Sequence, residues 1–222
     1  MPPTGPPVQR SQPSAESRHW DPGLLESGSD GARFNLPNAI TALRTIVSVS
    51  FAVAAITQAD MRFAVIAYLV YWIGDVLDGL AARLLDQETR FGAVFDIISD
   101  RACFALCGAA LMTLRPDAAI PITVFLLHFL VLDCQLSLVF LRWPIVSPNY
   151  FYVVHPGIYR WNWWPPAKVL NTTALAVAVL LPVPIWVGVV IGLAAMVVKG
   201  VSLVAVSRIP GYLRPPAPPA LT

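Results

Sequence analysis

The chain has 222 residues, 56% of them hydrophobic and 13% charged, with a formal net charge of +2 and a mean hydropathy of +0.64. Soluble domains carry about 25% charged residues, so this composition excludes an ordinary soluble fold and points to a polytopic membrane protein of one domain. A charge of +2 with no basic face gives no footing for nucleic acid.

Residues 1–32 are rich in Pro, Ser and Gly and repeat at no helical or strand period, so a disordered tail is expected there. The tail has no apolar h-region of a secretory signal. Glu16, Asp21, Glu26 and Asp30 argue against an organellar transit peptide.

The ordered domain is expected over 33–207. Its first span runs from Asn38 to Gln58, with Pro37 at the start of the helix and Asn38 as its cap. Arg44 lies between one and two turns in, placed either to snorkel to headgroups or to point inward at an anionic ligand. The second span is Met61 to Leu85 and the third Phe91 to Leu114. The short polar link between them, Asp86 to Arg90, makes the two helices antiparallel neighbours.

The fourth span, Ala118 to Leu141, holds His128 and Asp133, both unusual at membrane depth. Cys103, Cys107 and Cys134 fall in apolar segments with no His or further Cys near in sequence, so packing is expected of them rather than a disulfide framework or metal. The loop Arg142 to Pro166 carries Tyr150, Tyr152, Tyr159, Trp161, Trp163 and Trp164, with His155 and Arg160 among them. An interfacial aromatic belt is the favoured reading, a substrate rim the other. A fifth span runs from Lys168 to Leu181, Pro182 and Pro184 turn the chain, and a sixth runs from Ile185 to Val206. Lys199 within it either snorkels or faces the bundle. Residues 208–222 form a Pro-rich tail. The long spans suffice to cross about 30 Å of hydrocarbon at a rise of about 1.5 Å per residue.

With the N-terminus in the cytoplasm, Arg10, Arg18, Arg33, Arg83, Arg90, Arg142, Arg160, Lys168, Arg208 and Arg214 fall inside, and only Arg62 and Arg115 outside. That bias supports six spans with both tails cytoplasmic and puts the 86–90 link on the cytoplasmic side.

The stretch from Asp75 to Asp100 is the functional candidate. A carboxylate at bilayer depth costs several kcal/mol and marks a functional site by default. Here Asp75, Asp78, Asp96 and Asp100 lie within two apolar segments. Asp75, Asp78, Gly79 and Ala82 fall at i, i+3, i+4 and i+7 on one helix face, which Arg83 borders. Gly92, Asp96 and Asp100 fall at i, i+4 and i+8 on the next helix. In an antiparallel pair Asp78 and Asp96 lie at similar distances from the link, as do Asp75 and Asp100, so the four acids can converge near the cytoplasmic side. Oxygen-only ligation without His or Cys indicates Mg²⁺ or Mn²⁺, and four acids can bridge two such ions. Mg²⁺ is commonly shared with substrate phosphates, for which Arg83 supplies a fixed positive charge. Gly79, Ala82 and Gly92 are small either for close approach of a ligand or for helix packing. A buried ion network or a cation-coupled transporter is the bland alternative.

These eight positions, D-x2-D-G-x2-A-R-x8-G-x3-D-x3-D, match without exception the signature of the CDP-alcohol phosphatidyltransferases, and the resemblance extends over 35–206. It implies an all-α polytopic membrane protein with six transmembrane helices around a cytoplasm-facing di-metal site. The family is usually dimeric and uses two divalent cations. It transfers a phosphatidyl or other phosphoalcohol group from a CDP-alcohol such as CDP-diacylglycerol to an acceptor hydroxyl, releasing CMP. The resemblance also implies that Asp75, Asp78, Asp96 and Asp100 hold the metals, with Asp100 the general base. Gly79, Ala82, Arg83 and Gly92 would surround the CDP-alcohol. The expected location is a bacterial plasma membrane.

For the acceptor, Asn35-Leu36-Pro37-Asn38-Ala39-Ile40-Thr41 with Arg44 resembles the first helix of phosphatidylglycerophosphate and cardiolipin synthases. The Ala-Arg-Glu expected in their fourth helix is absent. The Asp78 to Arg83 stretch, Gln87 to Ala93, Asp100-Arg101, Leu132-Asp133 and Lys199 look closer to eukaryotic-type phosphatidylinositol synthases. Inositol or inositol phosphate is therefore favoured, with glycerol 3-phosphate the alternative and Arg44, Arg101 and Asp133 the candidate acceptor-binding residues. Asp133 has a second reading as an ion-pair partner of Arg101 or Lys199. An anionic acceptor would call on Arg44, Arg101, Arg142 and Arg160.

Overall fold

The computed structural model describes residues 34–171 and 184–211, and every regular element among them is helical. Five helical stretches are long and apolar enough to cross a membrane. Three of them are single helices at the start: α1 (Leu36–Gln58), α2 (Met61–Leu84) and α3 (Arg90–Leu114). The fourth, Pro116–Arg142, is a composite of α4 (Ala119–Leu127), a π-helical segment (His128–Asp133), α5 (Cys134–Leu138) and 3₁₀ turns at either end. After it come a 3₁₀ segment (Pro148–Val153), the short α6 (Pro156–Asn162) and a helical stretch over 165–171. The last crossing helix is α7 (Ile185–Ser207). The expected fifth span lies mostly outside the described residues, as do the tail over 1–32 and most of the one over 208–222.

The cap of α1 is Asn35, not Asn38. The Asn35 side chain accepts from the Asn38 backbone N–H at 3.0 Å, the geometry of an N-cap three residues upstream. Pro37 sits inside the first turn, where a missing N–H is harmless. Asn38 is thereby freed to turn its side chain towards α3. At the other helix starts Asp60 accepts from Arg62 N–H and Thr89 from Gly92 N–H. The link between α2 and α3 turns through Asp86 at φ 52°, a left-handed conformation that Asp tolerates better than most side chains.

Small residues let the first three helices approach closely. The buried stripe of α1 reads Thr41, Arg44, Ser48, Ala52, Ala55, and that of α2 reads Ala64, Ala67, Tyr71, Gly74, Asp78, every step in both being three or four residues. They meet Cys103, Cys107 and Ala110 of α3, so two of the cysteines serve packing. Without a hydrophobic drive between helices in lipid, such contacts and interhelical bonds like Ser48 Oγ to Ala67 O at 2.9 Å hold the trio. Leu43, Ile46, Leu69, Ile73, Val197 and Val201 are exposed, which gives lipid chains an apolar perimeter.

The second half is held by aromatic side chains. Phe104 of α3 packs on Tyr71, Phe125 and Phe129, with ring centroids 4.9, 5.7 and 4.3 Å away. Nearer the loop, Trp143, Phe151, Ile158, Trp163 and Val206 form another core. The loop aromatics are therefore neither a simple belt nor a simple rim. Trp163 is core, Tyr152, Trp161 and Trp164 are exposed, and Tyr159 and Trp163 also face a cleft.

Candidate functional site

A cleft of about 630 Å³ runs from the α2–α3 link into the bundle, lined by residues of α1, α2, α3, the fourth span, α6 and α7. The polar side chains of the expected site converge on it. Asp75, Asp78, Gly79, Ala82 and Arg83 arrive from α2, and Gly92, Asp96, Asp100 and Arg101 from α3. The helical phases place them there because both helices run unbroken through the motif.

Asp75, Asp78 and Asp96 each offer an oxygen within 4.8 Å of the others, a spacing that fits one hard cation between them. Asp100 joins them through Arg44. That guanidinium points inward rather than snorkelling, and its partners are the protein's own carboxylates. Its Nε donates to Asp78 Oδ2 at 2.8 Å, and its Nη2 donates to Asp96 Oδ1 at 2.5 Å and Asp100 Oδ1 at 2.9 Å. Asp75 Oδ1 lies 3.6 Å from the same nitrogen. One guanidinium against four carboxylates leaves an excess of three negative charges when all are ionised. Like charges set this close, with Asp78 buried among them, are unfavourable, so the all-oxygen cluster is suited to divalent cations.

Thr41 was not among the sequence-based candidates. Its hydroxyl donates to Asp78 Oδ2 at 2.6 Å, and Arg44 lies 5.4 Å from the centre of the Tyr71 ring. The available signal was position: Asn38, Thr41 and Arg44 share one face of α1. Gly74 was also missed. A Cβ there would sit 2.5 Å from Arg44 Cβ and 2.6 Å from its Cδ, so only glycine lets the arginine stem cross α2. Gly92 has a packing role as well as lining the cleft, since a Cβ there would lie 2.8 Å from Asn38 Oδ1. Gly79 is open, its nearest neighbour being the Arg83 guanidinium at 3.5 Å.

A second polar group, from α3, the fourth span and α7, also lines the cleft. Asp133 Oδ2 accepts from Arg101 Nη2 at 2.6 Å, and Asp133 Oδ1 lies 2.6 Å from Lys199 Nζ. Arg101 also reaches Ser137 at 3.3 Å and covers the Phe129 ring at 4.0 Å. Lys199 is 1% exposed and faces the bundle. The ion-pair reading of Asp133 thus holds with both partners. Phe129, Asp133 and Ser137 are spaced by four, and the wider π turn helps keep this series facing the cleft. His128, buried at the start of that turn, packs at a tilt against Phe125 instead, with ring centroids 5.6 Å apart.

Of the remaining arginines, Arg142 binds the carbonyls of Val206 and Ile209 at 3.4 and 3.1 Å. Arg160 is not among the residues lining the cleft. The cleft mouth is fastened to the α2–α3 link by Tyr150, which donates to Glu88, and by Arg90, whose guanidinium reaches Leu141 O at 3.0 Å. Burial and the Glu88 carboxylate push the Tyr150 phenol up to about 12, so it remains a donor through the neutral range.

An all-helical membrane bundle that focuses acids from two adjacent helices into a cleft defines a narrow class of protein. A family profile described as CDP-alcohol phosphatidyltransferase matches residues 34–205, and the chain belongs to that family. It is similar to a CDP-diacylglycerol–glycerol-3-phosphate 3-phosphatidyltransferase of Cereibacter sphaeroides, 30% identical over 100 residues, or 42% of this chain and 45% of the relative. It is also similar to the human CDP-diacylglycerol–inositol 3-phosphatidyltransferase, 50% identical over 40 residues, 18% of each chain, with the same figures for the rat protein. The matches thus span less than half the length of these relatives. No solved structure is significantly similar to the chain. Family membership leaves the transporter alternative without support.

Proposed function

We propose that this protein transfers a phosphatidyl group from CDP-diacylglycerol to a hydroxyl of a neutral polyol, inositol being favoured, with release of CMP. Family membership and the acid cluster support the reaction class. The observation that carries the choice of acceptor is the commitment of four particular arginines, Arg83, Lys168 and Lys199 being further cations that line the cleft. Of the four arginines that an anionic acceptor would call on, Arg44 lies among the acids, Arg101 is matched by Asp133, Arg142 holds backbone carbonyls, and Arg160 is away from the cleft. Four buried atoms on cleft-lining residues, Gln87 Oε1, Arg101 Nε, Ser147 Oγ and Asn162 Oδ1, have no hydrogen-bond partner among the described residues. They include a donor on Arg101 and acceptors on Gln87 and Asn162, and the hydroxyls of a polyol can serve both kinds.

In this reading Asp75, Asp78 and Asp96, with Asp100 at their edge, hold two Mg²⁺ or Mn²⁺ ions. Those ions, when bound, supply a clamp for charge on the attacking and leaving oxygens. Arg83 binds the nucleotide phosphates, while Gly79, Ala82 and Gly92 keep the wall low beside them. Asp100 takes the proton of the acceptor hydroxyl. The acceptor oxygen forms a bond to the phosphorus that carries diacylglycerol. The bridging P–O bond breaks, and CMP leaves with the electron pair. Arg101 and Asp133 orient the polyol. Arg44 and Thr41 hold Asp78 in place.

The Lys and Arg bias supports six spans and a cleft opening to the cytoplasm of a bacterial plasma membrane, where the donor keeps its tails in lipid. The family resemblance supports a homodimer. A second acceptor, glycerol 3-phosphate, is favoured by the longer of the matches. The test offers purified protein labelled CDP-diacylglycerol with Mg²⁺ or Mn²⁺ and, separately, inositol, inositol phosphate, glycerol 3-phosphate, serine or phosphatidylglycerol. Phosphatidylinositol as the lipid product, identified by mass, is expected. A phosphatidylglycerophosphate product would move the assignment to the second acceptor, and no product with any of them would end the enzyme reading.

A further inference from the structure

We propose that Arg44 is a built-in counter-ion of the acid cluster, which holds the metal-free bundle together and sets how tightly the site takes divalent cations. This rests on the reading of the acids as a metal site. Three features of the side chain carry it. Its Nη2 is shared by Asp96 and Asp100 and lies within 3.6 Å of Asp75, at the focus of the carboxylates rather than at their rim. Its arrival there is provided for, because Gly74 alone leaves the space that its stem occupies. Its Nη1 is buried and has no hydrogen-bond partner among the described residues. The guanidinium is therefore tied along one edge only, and it can yield ground at Nη2 without breaking a second set of bonds.

The charge argument gives a direction that a merely structural arginine would not share. In metal-free protein Arg44 is the cation in direct contact with the four acids, and it eases the meeting of α1, α2 and α3 there. Once divalent ions bind, the same charge repels them. A unit charge about 6 Å from a divalent ion changes its affinity about tenfold even at the dielectric of water. Removing Arg44 should thus weaken the empty protein and tighten its hold on metal.

The experiment uses the full chain in detergent and compares wild type with Arg44→Gln and Arg44→Lys. Mn²⁺ binding is followed by the paramagnetic signal of the free ion. Thermal unfolding is followed in chelator and in Mn²⁺. Absence of Mn²⁺ binding by wild type would end the metal reading itself, and the inference with it. Given wild-type binding, Arg44→Gln is expected to bind Mn²⁺ about tenfold or more tightly, to unfold earlier in chelator and to gain more from Mn²⁺. Folding of this variant only when Mn²⁺ is present would support the proposal equally. Arg44→Lys, which keeps the charge, should fold without metal and bind Mn²⁺ close to wild type. Equal or weaker Mn²⁺ binding by Arg44→Gln would overturn the counter-ion role while leaving the metal site intact. So would failure of both variants to fold in either condition, because the shape of the side chain rather than its charge would then be what the bundle needs.

Discussion

Gly74→Ala adds one methyl group where α1 crosses α2. The new Cβ would lie 2.5 Å from Arg44 Cβ and 2.6 Å from Arg44 Cδ. Carbon atoms settle at about 3.5–4.0 Å, so the helices must part by about 1 Å or the arginine stem must move by as much. A shift of that size stretches the 2.8 Å bond from Arg44 Nε to Asp78 beyond hydrogen-bond range. Overpacking costs about 1–3 kcal/mol, and a lost bond to a charged group about 1.5–3 kcal/mol. The better helix propensity of Ala offsets about 1 kcal/mol, so the net loss is about 1.5–5 kcal/mol. For a chain of this size the lower figure lowers the unfolding midpoint by about 3 °C or more. Gly200→Ala is the control. It lies in α7 with nothing within 4 Å of the added carbon, so propensity alone acts and stability should hold or rise. The two variants are compared by thermal unfolding in detergent. If Gly74→Ala is as stable as Gly200→Ala, the close crossing of Arg44 over α2 is wrong.

Two further perturbations address the rest of the cleft. Asp133→Ala removes the carboxylate shared by Arg101 and the buried Lys199 and should cost about 3–5 kcal/mol; adding Lys199→Met should recover part of that in the same unfolding assay, and additive losses would refute the pairing. Tyr150→Phe removes the bond to Glu88 at the cleft mouth. The folded-state phenol is raised to about 12, so the wild-type advantage over Tyr150→Phe should be fully present below about pH 10 and fade as pH rises through 12. An advantage that grows with pH would contradict the assigned donor.

The acid cluster was legible because it depends only on helical phase. Two unbroken helices joined by a short link bring Asp75, Asp78, Asp96 and Asp100 together wherever the rest of the chain lies. Arg44 was harder, since a long cationic side chain satisfies the same spacing by snorkelling or by turning inward. The difference is decided by a glycine on another helix. Asp133 likewise offered two readings that only the arrival of Lys199 from α7 could separate. The π turn over His128–Asp133 left no mark in an apolar run of Leu, Phe and Val. The cap of α1 was misplaced by three residues because Asn35 and Asn38 are both good caps flanking Pro37, and what distinguishes them is the side chain that Asn38 presents to Gly92.

The most direct test of the central claim, that the acid cluster carries phosphatidyl transfer, is CMP release from CDP-diacylglycerol by wild type and Asp100→Asn. The exchange keeps size and removes the proposed base. Wild type should release CMP in the presence of Mg²⁺ or Mn²⁺ and acceptor, while Asp100→Asn unfolds cooperatively as wild type does but releases CMP at a rate at least about a hundredfold lower. Full turnover by a folded Asp100→Asn protein would contradict the role given to Asp100.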